Sequence, residues 1–306
     1  MTTIKKKQNK REFEEMLQGY AFLAPAILVI LVFFILSILF AFYLTFNDVN
    51  LIAHTYEWNN FRNFQNILDD QQLIRALQNT VFFALVVVPA QTMIALVMAY
   101  VLANREIKGK KVFRLIYFLP TLTSSAALTL IFMFIFNQNG PINGFLMNMN
   151  VIDQPINFIN DTKWTLKVIM MMNIWSTVPY FMTIYLASLV DLPHSLYEAA
   201  EIDGANAVDK LRYITIPYLR PITTYVLLTG IIGTFQMFDQ AYIFSGGTGG
   251  PVNSTLTVSL LIYQYAFGQN NQMGYAAVLA LLLALIIFVV TRIAEKLNGG
   301  NGLENN

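Results

Sequence analysis

Six long apolar runs divide this chain, and polar, charged or turn-forming residues separate them. They are Tyr20–Phe46, Ala76–Asn104, Leu115–Phe136, Val168–Val190, Ile222–Phe244 and Gly274–Thr291, free of charge except for Asp239 near the far end of the fifth. A helix rises 1.5 Å per residue, so roughly 20 residues cross the ~30 Å of hydrocarbon in a bilayer. Backbone groups in lipid must be satisfied within their own segment, which makes a helix of each run. No strand-like alternation argues for a barrel. The pattern therefore predicts an all-α membrane protein with six transmembrane helices.

Composition agrees. Hydrophobic residues make up 56% of the chain and charged residues 12%, with a mean hydropathy of +0.53. The net charge of +1 carries little information, but its distribution carries much. Lys5, Lys6, Lys7, Lys10 and Arg11 precede the first run, and Arg105, Lys108, Lys110, Lys111 and Arg114 lie between the second and third. Lys210, Arg212 and Arg220 lie between the fourth and fifth, and Arg292 and Lys296 follow the sixth. Only Arg62, Arg75, Lys163 and Lys167 fall on the opposite side. The positive-inside rule then places both termini and the 191–221 connection in the cytoplasm. The expected organisation is a cytoplasmic segment over 1–19, a six-helix domain over 20–297 and a polar tail over 298–306. The first apolar run is too long for the core of a cleavable signal peptide and lacks a small-residue cleavage site.

The connection at 191–221 differs from the rest of the chain. Residues 198–221 read EAAEIDGANAVDKLRYITIPYLRP, an alanine-rich and charged helical pair set between apolar spans. Ser195 and Glu198 have the spacing of a capping box, Gly204 can take the positive φ that ends a helix, and Asn206 with Asp209 can start another. Pro217 and Pro221 are expected to stop the second helix. Two short helices joined at a glycine make a rigid knob suited to docking into another protein.

The order E-A-A, three residues, G, then I-x-x-P resembles the EAA loop of permease subunits of binding-protein-dependent ABC importers. Glu198, Ala199, Ala200, Asp203, Gly204, Ala205, Ile216 and Pro217 match it. The resemblance implies the MetI-like permease fold and a coupling helix inserted into a cleft of an ATPase subunit. It also implies partners: an ABC ATPase dimer, a second permease paralogue, an extracytoplasmic solute-binding protein and the lipid bilayer, with no nucleic acid among them. The segment Ser245-Gly246-Gly247-Thr248-Gly249-Gly250-Pro251 resembles, in a longer form, the T-G-G-G-P segment of permeases of the maltose, multiple-sugar and glycerol-3-phosphate group. That likeness runs from Asn79 to Ile293 and implies a sugar or oligosaccharide as cargo, with a polyol or glycerol phosphate as the alternative. A phosphate-binding loop is a poor reading of the same glycines, because no Gly-Lys-Ser/Thr follows them.

Candidate chemistry inside the spans is sparse. Ionisable groups in a membrane are costly and are functional candidates by default. Asp239 is the one such residue within the runs, and at 1.5 Å per residue it lies roughly 26 Å across its span. It can cap or pair at a helix end, or meet substrate. In the fourth run Asn173, Ser176, Thr177, Tyr180 and Thr183 lie on one helical stripe beside Pro179, which can kink the helix and free backbone carbonyls. Thr234, Gln236 and Gln240 offer similar chemistry in the fifth. A sugar site wants an aromatic face and amides or hydroxyls, although hydroxyl residues also serve helix packing in membranes. The resemblance points to Ser176, Thr177 and Tyr180, with Thr234 and Met237 beside them, as substrate contacts.

Other classes fit poorly. An ion-coupled secondary transporter wants buried coupling charges, which the runs lack apart from Asp239. A membrane enzyme lacks machinery: His54 and His194 have no metal-ligand companions in sequence, cysteine is absent, and no Walker A pattern occurs. No cofactor or metal is expected, and ATP hydrolysis belongs to a separate subunit.

Overall fold

A computed structural model of the chain describes residues 2–50, 55–103, 110–268 and 271–299. Arg105, Lys108, His54 and residues 300–306 of the polar tail lie outside the described residues. Helix α1 (Thr2–Val29) passes through a π-helical stretch at Ile30–Ile35 and ends as α2 (Leu36–Leu44). Then come α3 (Gln71–Ala103), α4 (Lys110–Leu122), α5 (Ser125–Ile135), α6 (Pro141–Asn148) and α7 (Thr165–Asp191). After these follow α8 (His194–Ile202), α9 (Ala207–Lys210), α10 (Arg220–Phe235), α11 (Asp239–Ser245), α12 (Val258–Phe267) and α13 (Met273–Leu297).

The spine is the pair α3 and α7. On α3 the buried positions Ala76, Phe83, Val87, Gln91, Ala95 and Ala99 recur every three to four residues, which gives one inward stripe. Ala95 and Ala99 are fully buried with Val178, Met182 and Tyr185 of α7, because small side chains let helices in lipid approach closely. Helix α10 packs against both members of this pair, and α13 packs against α10 and α12. By contrast, α1 and most of α2 stand apart, with only the end of α2 against α13, and almost nothing of the apolar stretch Phe13–Leu44 is buried within the chain.

Among the described residues, four spans are long and apolar enough to cross a membrane: Phe13–Leu44, Gln71–Ala103, Arg220–Ser245 and Met273–Leu297. A fifth results if the bent pair Leu115–Leu122 and Ser125–Ile135 counts as one. Helix α7, at 27 residues, has the length of a span, but Asn173, Ser176, Thr177 and Thr183 dilute its hydropathy.

Three features depart from the sequence reading. First, the protein is not wholly α: Asn47–Asn50 and Thr55–Trp58 form a two-stranded antiparallel ribbon, with Asn47 opposite Trp58. Phe46 stacks on Trp58 with ring centres 5.5 Å apart, and Phe61 and Phe64 close around the same ring. Asn63, buried beneath them, donates to the carbonyls of Thr45 and Asn47. This local aromatic and amide packing holds a short ribbon that has no long alternating run. Second, the third run is not straight: the chain bends by 108° between its halves. Pro120 removes a helical donor, Thr121 and Thr123 bond back to the carbonyls of Phe118 and Leu119, and extended Ser124 caps α5 by accepting from the Ala127 N–H. Third, the fifth run breaks at Gln236–Phe238, so Asp239 opens a new helix instead of lying within one.

The glycine-rich segment folds on itself. Gly246, Gly247 and Gly249 take left-handed φ, and the amides of residues 246–250 are occupied by Tyr242, Ile243, Ser245 and Thr248. With its N–H groups turned inward it cannot cradle a phosphate. It leads into α12, a ten-residue apolar helix that the six-run pattern does not contain.

Candidate functional site: coupling hairpin and polar cleft

The hairpin begins at α8. Pro193, not Ser195, is the residue before its first turn, and no side chain caps it. The capping box expected of Ser195 and Glu198 is therefore not formed. Pro193 fixes the entry, and Glu198 instead approaches His194, with Nδ1 and Oε1 3.2 Å apart on an exposed face. The other end follows the sequence reading. Gly204 has φ of +80°, Gly204 N–H donates to the Glu201 carbonyl, and Ala205 N–H reaches back to the Ala200 carbonyl, a Schellman closure. Asn206 and Asp209 then form a complete capping box.

Two side-chain ties stiffen the pair. Lys210 donates to Glu201 at 2.5 Å, and Tyr197 meets Thr215 at 2.7 Å. The hydrogen bond and charge of Lys210 hold the Glu201 carboxyl below the usual carboxylate range. A depressed folded-state pKa means the tie is complete at neutral pH and is lost only as pH falls through that lowered value.

The prolines do not stop the second helix. From α9 the chain continues as a π-helical turn over Leu211–Thr215, then Ile216–Tyr218, and enters α10 with Pro221 in its first turn. The wider π turn precedes Pro217, which lacks an N–H and would crowd a regular α turn. The hairpin is thus joined almost without interruption to α10. At its tip Ile202 and Val208 are 88% and 68% exposed, on either side of Gly204, with Asp203 and Ala199 also exposed and Ala200 and Ala205 half-buried. Exposed aliphatic groups thus project from a rigid turn, a surface of the kind that marks interaction sites.

The second constellation lies where the broken helices meet α7. A cleft of about 160 Å³ is lined by Pro120, Thr121, Thr123, Ser125, Ser176 and Gln240, with Leu128 and Met172 beneath. Gln240 donates to Ser125 at 3.1 Å, which joins α11 to α5 beside the two breaks. One turn along α7 from Ser176, Tyr180 is half exposed and its hydroxyl stands 3.3 Å from that of Tyr225. Asp239 is exposed in the first turn of α11, where the helix dipole favours its charge.

The remaining predicted contacts lie deeper. Thr177 donates to Gln91 at 2.8 Å. Thr234 is buried and bonds to the Gly230 carbonyl of its own helix. Met237 is buried, and its carbonyl, freed by the break, accepts from Thr257 at 2.9 Å. Sequence reasoning passed over the polar residues that hold this layer. Gln91, 1% exposed, links α3 to Thr177 and abuts Gly230, where an added Cβ would lie 2.5 Å from its Nε2. Asn79 binds the carbonyls of Asn253 and Leu256, and Thr80 accepts from the Val258 N–H. An amide or hydroxyl isolated within an apolar run was the available signal for all three.

Residues 91–300 match the family described as the binding-protein-dependent transport system inner membrane component. The chain is 34% identical to the lactose transport system permease protein of Rhizobium radiobacter, covering 95% of this chain and 96% of that one. Against the arabinooligosaccharides transport system permease protein of Bacillus subtilis it is 31% identical, over 92% and 88%. Against the trehalose/maltose transport system permease protein of Thermococcus litoralis it is 30% identical, over 92% and 95%. Its fold is similar to a chain of a bacterial ABC transporter that imports the acidic polysaccharide alginate, with TM-score 0.76, 20% identity and coverage of 95% and 98%. With apolar spans, a helical permease fold and this family match over most of its length, the chain belongs to the inner membrane components of binding-protein-dependent transport systems, as a multi-pass transport subunit of the cell membrane.

Proposed function

We propose that this chain is a permease subunit of an ATP-driven ABC importer that carries a sugar or oligosaccharide into the cytoplasm. The observation that carries the coupling half of this reading is the stiff hairpin at 191–221, with aliphatic residues at its tip and a nearly continuous helical path into α10. On this reading Glu198, Ala199, Ala200, Asp203, Gly204 and Ala205 form the face that seats in an ATPase dimer. A second permease paralogue completes the pathway, and an extracytoplasmic binding protein delivers the solute. The exposed apolar face of α1 and α2 is then covered by lipid or by that paralogue. ATP-driven closure moves the knob and rocks the spans between inward- and outward-open states.

The topology that goes with this reading has six spans, counting α7 and the bent pair α4 and α5, with both termini and the hairpin cytoplasmic. Residues 1–19 and 298–306 flank the membrane domain. The basic residues named above support that orientation. The saccharide assignment rests on the three relatives, each named for a saccharide, and on hydroxyl and amide groups converging at the helix breaks. Ser176, Tyr180 and Asp239 line the solute path, while Thr177, Thr234 and Met237 form the layer that holds it in shape.

Two measurements test this. In the assembled transporter with its binding protein, ATPase activity should rise with one saccharide among a panel and stay basal with amino acids and peptides. Stimulation by a non-saccharide alone contradicts the cargo. Tyr180→Ala should lower uptake between about fivefold and a hundredfold with assembly intact. An aromatic face and a hydroxyl are together worth on the order of 1–3 kcal/mol when desolvated. Unchanged uptake kinetics would assign the stripe to helix packing.

A further inference from the structure

Three of the four basic residues that stand apart from the others in the charge pattern meet in one place. Arg75 on α3 and Lys163 and Lys167 at the start of α7 line a cleft of about 450 Å³, together with Gln78, Trp164 and Ser254. It lies at the end of α3 and α7 remote from the hairpin. None of the three cations is ion-paired among the described residues. The nearby carboxylate, Asp161, is outside the lining, and its Oδ1 accepts from the Lys163 N–H. Lys167 lies over the Trp164 ring, 5.0 Å from its centre. Ser254, only 3% exposed, has a buried hydroxyl with no hydrogen-bond partner, although it lines this same cleft. A buried polar atom without a partner is costly, and here it points to a ligand oxygen. The first turn of the 27-residue α7 adds its positive dipole end.

What lies below the cations decides the kind of anion. Arg75, Gln78, Phe82, Leu85 and Met93 fall on one stripe of α3 at helical spacing. Phe82, Leu85 and Met93 are all exposed. From Phe82 to Met93 the stripe runs roughly 16 Å, about the reach of an acyl chain. A soluble oxyanion gains nothing from such a surface, whereas a phospholipid matches both halves. Trp164 at the same level as the cations is the expected interfacial residue.

We propose that this cleft binds the phosphate of an anionic phospholipid, with its acyl chains along Phe82, Leu85 and Met93. Arg75, Lys163 and Lys167 supply the charge, and Ser254 donates to a phosphate oxygen. The test is native mass spectrometry of the intact transporter equilibrated with equal amounts of phosphatidylglycerol and phosphatidylcholine. Wild type should retain phosphatidylglycerol roughly tenfold over phosphatidylcholine, and Arg75→Gln/Lys163→Gln/Lys167→Gln should bring the ratio close to one. If that variant does not assemble, Lys163→Gln alone should lower the ratio by about threefold or more. Excess glycerol phosphate should leave the bound lipid in place. Equal retention of the two lipids by wild type, or a preference unchanged in the variants, overturns the proposal. Displacement by glycerol phosphate overturns it too, because the cleft would then be a site for soluble anions.

Discussion

Gly204→Val should abolish solute uptake while the permease remains inserted and assembled. The space around Gly204 is open, so nothing clashes with an added side chain; the cost comes from the backbone. At φ of +80° a β-branched residue is strained by about 1–3 kcal/mol or more, which the turn relieves by changing conformation. The Schellman bonds from Gly204 and Ala205 are then lost, and Ile202 and Val208 no longer project from one rigid tip. Gly204→Asn should retain more uptake than Gly204→Val, because asparagine tolerates the left-handed region. That graded order separates a backbone requirement from a side-chain one. Normal uptake by Gly204→Val removes the hairpin from the coupling path.

The second large effect concerns stability. Gly274, in the first turn of α13, lies against the end of the first span and the ribbon. A Cβ there would stand 2.1 Å from the Asn47 carbonyl oxygen and 2.9 Å from that of Leu44, both backbone atoms, and 2.6 Å from the Asn63 amide nitrogen. Backbone cannot yield as a flexible side chain can, so Gly274→Ala should destabilise by about 2–3 kcal/mol, at the upper end of overpacking costs. Thermal inactivation of the purified transporter should shift down by several degrees. The ribbon is where change should appear first, as loss of the Phe46–Trp58 ring stack. A Gly274→Ala variant with wild-type melting would mean that this contact relaxes without cost.

Most of the fold could be read from apolar run length, because a bilayer imposes one requirement on every residue that crosses it. The ribbon at 47–58 could not, since four-residue strands held by Phe46, Trp58 and Asn63 leave no periodic trace. The breaks at Thr123–Ser124 and Gln236–Phe238 were hidden for a related reason. Hydropathy averages over both: at the first break Thr121 and Thr123 bond back to their own backbone beside Pro120, and at the second Met237, whose freed carbonyl accepts from Thr257, is itself apolar. In the hairpin, Gly204 and the Asn206–Asp209 box were legible because capping is local chemistry at fixed spacing. The Ser195–Glu198 box failed because Pro193 already sets the helix start. Pro217 and Pro221 were misread as stops, since a π turn and a first-turn position both accommodate a missing N–H. Among the proposed contacts, Ser176 and Tyr180 could be ordered along a stripe, but sequence could not distinguish them from Thr177, whose hydroxyl is committed to Gln91.

Coupling to an ATPase requires the hairpin to face the cytoplasm, and the chain contains no cysteine to obscure a test of this. Single cysteines at Asn206, exposed beside the hairpin turn, and at Asn253, in the segment at the remote end, can be probed with a membrane-impermeant thiol reagent. Asn206→Cys should resist the reagent in intact cells and react once the membrane is opened, while Asn253→Cys should react from outside. Labelling of Asn206→Cys in intact cells would contradict the coupling role, because the knob would then lie on the side where no ATPase can reach it.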